Sequence, residues 1–150
     1  MDSNKKRLPD ILRTIKIDAD IQKVWQAVST AKGISSWLMP CTLEAKLGHC
    51  FTLKREPMGG WDGTILCVVK ELEPPYKIGF TWSGNGMEHY VSFELKPDDG
   101  GTRFILVHSG WVEGSEQIRN TMYDGWGHIL DGFKQSQEAG EKHNEGTDRK

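Results

Sequence analysis

The chain has 150 residues, 37% apolar and 27% charged, with a formal net charge of −2. That is the size of one domain and the composition of an ordinary globular chain, with no basic field to hold a polyanion, so nucleic acid is excluded as the main partner. No apolar run reaches transmembrane length and the opening "MDSNKKRLPD" is polar, so membrane insertion is not expected and a cytoplasmic location is.

"DILRTIKIDA" alternates through Ile11, Ile15 and Ile17 and reads as a strand. In "ADIQKVWQAVS", Ile21, Val24, Trp25 and Val28 have the spacing of an amphipathic helix, with Asp18 or Asp20 as its cap. "TAKGISSWL" reads as a second short helix, capped by Thr30, weakened by Gly33 and stopped by Pro40. Strand texture follows. "TLEAKLGHCFTLKRE" reads as two strands turning near Gly48, and "GTILCVVKELEPP" as a longer strand ended by Pro74 and Pro75. "KIGFTWS", "MEHYVSFELK" and "TRFILVHSG" are separated by the hairpin signals "GNG" and "PDDGG". His89, Val91, Phe93 and Leu95 share one face of their strand; Phe104, Leu106 and His108 share one face of the next.

From about Ser115 to Glu138 helical spacing returns. Ile118, Met122, Trp126, Ile129, Leu130 and Phe133 span about 120° of a helical wheel. Three glycines, Gly125, Gly127 and Gly132, interrupt this good helix, although each disfavours helix by roughly 1 kcal/mol relative to alanine. Gly125 and Gly132 fall within about 20° of each other on one margin of the stripe, where they permit either close packing or an entrance. Gly127 falls on the opposite, solvent side, with no packing role. The boundaries are an N-terminal tail over 1–9, one domain over 10–138 and a disordered tail over 139–150.

Strand, two short helices, a run of antiparallel strands and one long apolar-faced helix define an α+β chain. A curved sheet wrapped on such a helix leaves a concave, apolar space, which is where ligand sites favour lying. Several segments, in order, resemble one known family. They are "IKIDADIQKVWQAVSTAKGISSWL", "LGHCFTL" (with His49 where a second glycine is common), "WDGTILCVVKELEPPYKIGFTW", "GGTRFILVHSGW" and "DGWGHILDGF". The chain resembles the START-like (SRPBCC, Bet v 1-like) superfamily, in the group related to the C-terminal domain of the activator of heat-shock protein 90 ATPase. The resemblance implies the helix-grip fold, with about six to seven antiparallel strands around the long C-terminal helix.

Trp37, Trp61, Trp82 and Trp126, four of six tryptophans, would converge in that fold either as core aromatics or as a cavity wall suited to planar ligands. His108 shares a face with Phe104 and Leu106. A buried histidine held by a hydrogen bond is the favoured reading over an acid or base, because the adjacent Ser109 points to the opposite face. His89 faces inward but near a turn, which puts it at the rim. The carboxylates Asp62, Glu88, Asp124 and Asp131 read as solvated. Cys41, Cys50 and Cys67 are odd in number and lack metal or redox spacing, so they read as reduced thiols, mostly buried. No histidine cluster, phosphate loop or nucleophile motif is present, so no metal, cofactor or catalytic residue is expected.

The first functional reading is a binding protein for a small apolar, aromatic or lipid-like ligand, held between sheet and C-terminal helix. Its candidate residues are Trp37, Phe51, Trp61, Trp82, Val91, Phe93, His108, Met122, Trp126, Ile129 and Phe133. The resemblance implies a second, an interaction module that stimulates a chaperone ATPase. The third is an enzyme of the polyketide cyclase/aromatase type, which requires a buried acid or base opening onto the cavity. A monomer or weak homodimer is expected.

Overall fold

A computed structural model describes residues 6–57, 59–84 and 86–148, with side chains to residue 139. Of the tails expected at 1–9 and 139–150, residues 1–5 and 149–150 lie outside these residues, and the backbone of the C-terminal helix runs on through the second tail to Asp148. Within the described part, residues 6–8 run beside 111–113: Leu8 N–H donates to Trp111 O at 3.0 Å and Glu113 N–H to Lys6 O at 2.8 Å.

The element order is β1 (Ile11–Ile17), α1 (Ile21–Ser29), α2 (Ala31–Trp37), β2 (Cys50–Lys54), β3 (Thr64–Glu73), β4 (Lys77–Gly84), β5 (Met87–Asp98), β6 (Gly101–Ser109) and α3 (Glu116–Asp148). The strands form one six-stranded antiparallel sheet in the order β1-β6-β5-β4-β3-β2. The chain is therefore α+β with a long C-terminal helix and two short helices after the first strand, as its alternation and helical spacing predict.

Local chemistry explains the boundaries. Asp20 caps α1, its Oδ2 accepting from Gln22 N–H at 3.0 Å; Thr30 Oγ1 accepts from Gly33 N–H at 2.9 Å and caps α2. A Cβ on Gly33 would lie 2.3 Å from Gln26 O, so this glycine lets α2 abut the end of α1. Only one strand forms in 42–54. Before Gly48 the chain makes an isolated bridge from Cys41 to Leu53, then bends: Lys46 N–H turns back to Glu44 O and Gly48 N–H reaches Val69 O. The local bonds pull residues 44–48 out of ladder register, and Leu47 is left exposed. Among the cysteines only Cys67 is fully buried; Cys41 is half-buried and Cys50 exposed.

The core lies between the concave face of the sheet and the helices. Phe80, Phe93, Phe104 and Leu106 come from the sheet, and Trp126, Leu130 and Phe133 from α3. One long edge of α3 is fastened to the β1 side by cations bonded to carbonyls. Arg119 Nε donates to Pro9 O (2.7 Å), Arg13 Nη2 to Tyr123 O (2.8 Å) and Lys134 Nζ to Lys16 O (2.8 Å). No described helix is long and apolar enough to cross a membrane.

Candidate functional site

The apolar stripe of α3 is graded along its length. Leu130, Phe133 and Trp126 are buried, Met122 and Ile129 half-buried, and Ile118 is 55% exposed. The helix thus packs on the sheet at its middle and stands away from it toward its N-terminus. A cavity of about 620 Å³ fills the gap, within the usual range for small-molecule pockets. Trp61, Ile65 and Trp82 line it from the sheet side, Leu38, Met39 and Pro40 from the segment after α2, and Met122, Gly125, Trp126 and Ile129 from α3. Arg55, Glu56, Met87, Ile118 and Thr121 complete the lining.

Of the residues singled out from the sequence, Trp61, Trp82, Met122, Trp126 and Ile129 meet at this cavity. The other six lie elsewhere. Trp37 stacks on Phe133 (centroids 4.3 Å, 26°), packs on Phe93 at 5.6 Å and donates its indole N–H to Ala27 O at 2.8 Å. Phe93 also packs on Phe104 at 5.4 Å. This aromatic block closes the space beyond Trp126, so Trp37, Phe93 and Phe133 are its plug. Phe51, edge-on to Phe80 at 5.2 Å, and the fully buried Val91 are sheet core.

His108 stands behind the wall. It is completely buried, and its Nδ1 accepts the Trp126 indole N–H at 3.0 Å. An indole nitrogen only donates. His108 therefore carries its proton on Nε2, which donates to His89 Nδ1 at 2.9 Å. Burial and, less strongly, the neighbouring His89 hold His108 down to about 3, and burial lowers His89 as well. Both rings are neutral at neutral pH. Trp111 closes the group, donating its N–H to His108 O at 3.1 Å. His89 is thus buried in a pair, not set at the rim. The signal for it was present in the sequence: antiparallel pairing of Val91 with His108 puts His89 one diagonal away on the same face.

The glycines also separate. Added Cβ atoms at Gly125 and Gly132 would meet nothing within 4 Å, whereas one at Gly127 would lie 2.7 Å from Arg13 Nη2. The margin holding Gly125 is open and belongs to the cavity. Gly127 is the one with a packing role, because it makes room for the Arg13 guanidinium that rests 3.7 Å from the Tyr123 ring centroid.

At the mouth of the cavity the sequence pointed to Trp61 but not to Arg55 or Glu56. Arg55 N–H donates to Gly63 O at 2.9 Å. Gly63 has φ +87°, and a Cβ there would lie 2.0 Å from Arg55 O, so only glycine closes this loop. Closure brings Arg55 to within 5.8 Å of the Trp61 ring centroid. Asp62 Oδ1 accepts from Thr64 N–H at 2.9 Å, and this bond lowers its carboxyl. Asp62, Glu88, Asp124 and Asp131 are all exposed, as read from the sequence. Among the described residues no group of His, Cys, Asp and Glu could hold a metal.

A family model described as Activator of Hsp90 ATPase homolog 1-like protein matches residues 18–138. The solution structure of a Bacillus halodurans protein is similar at 38% identity, covering 83% of this chain and 93% of that one, with a TM-score of 0.72. A Mesorhizobium loti protein shares the fold at 22% identity, 85% and 95% coverage and TM-score 0.76. So does the Aha1 dimer from Colwellia psychrerythraea, at 24%, 87% and 97%, and 0.70. No curated protein matches the chain.

Proposed function

The chain belongs to the Activator of Hsp90 ATPase homolog 1-like family, and from that premise we propose that it binds a small, mostly apolar, ring-bearing molecule in the cavity under α3. The observation that carries this reading is the wall itself. Trp61, Trp82, Met122 and Trp126 surround about 620 Å³, and aromatic and thioether groups offer large, adaptable contact to planar apolar ligands. The Trp126 N–H is held by His108 and so turned away from its cavity contacts.

Titration with N-phenylnaphthylamine, a neutral fluorogenic aromatic, tests the reading. Saturable emission is expected, with quenching of intrinsic tryptophan fluorescence and competition by other apolar ring compounds. Absence of saturation with neutral and anionic aromatic probes alike would refute it.

A cyclase-type enzyme is less favoured by the geometry. His108 is walled off behind Trp126 and kept neutral, and the one carboxylate in the lining, Glu56, is exposed at the mouth. The family name and the Colwellia Aha1 structure also raise a chaperone-stimulating reading. Unchanged chaperone ATPase turnover at saturating protein would set that reading aside.

A further inference from the structure

Resting on that cavity reading, we infer that the ligand is an amphipathic monoanion whose carboxylate or sulfonate sits on Arg55 at the mouth while its ring-bearing body fills the cavity.

The side chains lining the interior leave a ligand's anionic group without a donor. The Trp126 indole N–H is given to His108 and the Trp61 N–H to Thr64 O at 3.1 Å. The Trp82 N–H has no partner among the described residues, yet it is covered by surrounding atoms. Thr121 Oγ1 donates to Gln117 O at 3.0 Å. A polar group buried without a hydrogen bond is strongly disfavoured, so the ligand's polar end belongs at the mouth.

Two charged side chains line the mouth, Arg55 and Glu56. Neither makes an ion pair among the described residues. Arg55 is positioned. The Gly63 closure fixes its backbone and the Trp61 ring lies under its guanidinium. Its planar fork matches a carboxylate or sulfonate. Among the described residues no contact positions the Glu56 side chain, and its negative charge, next to Arg55, disfavours a second negative group on the ligand.

The test compares two probes with the same aromatic body, anilinonaphthalene sulfonate and neutral N-phenylnaphthylamine. Arg55→Gln should weaken the sulfonate about three- to fivefold, the scale of a solvent-exposed charge pair, and leave the neutral probe within about twofold. Glu56→Gln should tighten the sulfonate alone, and added salt should weaken the sulfonate alone. Thermal melts of both variants should match the parent, because both side chains are exposed. If the neutral probe binds but Arg55→Gln leaves the sulfonate unchanged, or weakens both probes equally, the anion anchor is wrong and the cavity reading stands. If Glu56→Gln weakens the sulfonate, the assigned charge preference is wrong. If neither probe binds, both readings fall.

Discussion

The three glycines of α3 should respond differently to the same change. Each sits in helical backbone, where glycine is less favourable than alanine by about 0.8–1.0 kcal/mol. At Gly125 and Gly132 a methyl group meets nothing within 4 Å. Gly125→Ala and Gly132→Ala should therefore each stabilise the protein by about 0.5–1 kcal/mol, or roughly 1–4 °C in Tm for a chain of this size. At Gly127 the methyl would lie 2.7 Å from Arg13 Nη2. Arg13 would have to leave its 2.8 Å bond to Tyr123 O and its place over the Tyr123 ring. A hydrogen bond from a charged donor contributes about 1.5–3 kcal/mol and an exposed cation–π contact about 0.5–1 kcal/mol. Because the guanidinium is the end of a flexible chain, part of this is recovered, and Gly127→Ala should be neutral to about 2 kcal/mol destabilising. Larger side chains then separate stability from function. Gly125→Phe places a ring in the cavity that Gly125 lines and should weaken N-phenylnaphthylamine more than about tenfold, whereas Gly132→Phe, outside the lining, should leave binding unchanged. Melts by circular dichroism and fluorescence titrations on the same samples read both effects. A destabilised Gly125→Ala, or a folded Gly125→Phe with parental affinity, would refute this account of the α3 margin.

The histidine pair gives a pH prediction. An unfolded histidine takes up a proton near 6.5, while burial holds His108 down to about 3 and lowers His89. Above about 6.5 neither state is protonated and the pair adds no pH dependence; as pH falls from there toward 3, the unfolded chain binds protons that the native state refuses, and stability declines. For one fully refused proton the loss between pH 7 and 5 is about 2 kcal/mol, most of it gained before carboxylates titrate. Urea denaturation at pH 7, 6 and 5 measures it; a flat profile would contradict the assigned neutral pair, and His108→Asn should flatten the slope. Trp126→Phe removes the donor to His108 Nδ1 and leaves a buried acceptor unpaired, so it should destabilise by about 2–4 kcal/mol once the smaller ring is included. The neutral imidazole also loses its hydrogen bond, so the His108 pKa should rise, visible in the imidazole NMR shifts; an unchanged titration would break the proposed link.

The parts of the molecule readable from sequence are those set by near neighbours. Alternation in "HYVSFEL" places Val91 and Phe93 inward, and Asp20 and Thr30 cap helices from within a turn. What the sequence concealed depends on distant partners. Gly127 looks purposeless until Arg13, from the first strand, is laid against it. Trp37 and Phe133 satisfy every requirement for a cavity wall, yet the end of α2 reaches α3 and stacks them into a plug. Residues 42–47 have strand-like alternation, but local turns and the Gly48–Val69 bond override it. Arg55 and Glu56 lie in a turn-rich loop, and no periodic pattern could have brought them to the mouth.

The size of the cavity bears on whether it is a site or a packing defect. A sealed, dry void is disfavoured by about 24 cal/mol per Å³ in core-truncation series. At about 620 Å³ that rate amounts to roughly 15 kcal/mol, as large as the whole stability of a typical domain. A space of this size therefore persists only if it opens to solvent or holds a guest. The exposed Arg55, Glu56 and Ile118 in its lining supply the opening. The cations that bind α3 to the β1 side supply the other condition. They hold the helix along one edge, so its opposite margin, with Met122, Gly125 and Ile129, is free to stand off the sheet. Collapse of that margin would bury Met122 and Ile129 further, but it would have to bend a helix already anchored by Leu130 and Phe133 beyond it. The cavity thus follows from where α3 is fastened, and its aromatic wall and single positioned cation follow from which residues line what remains.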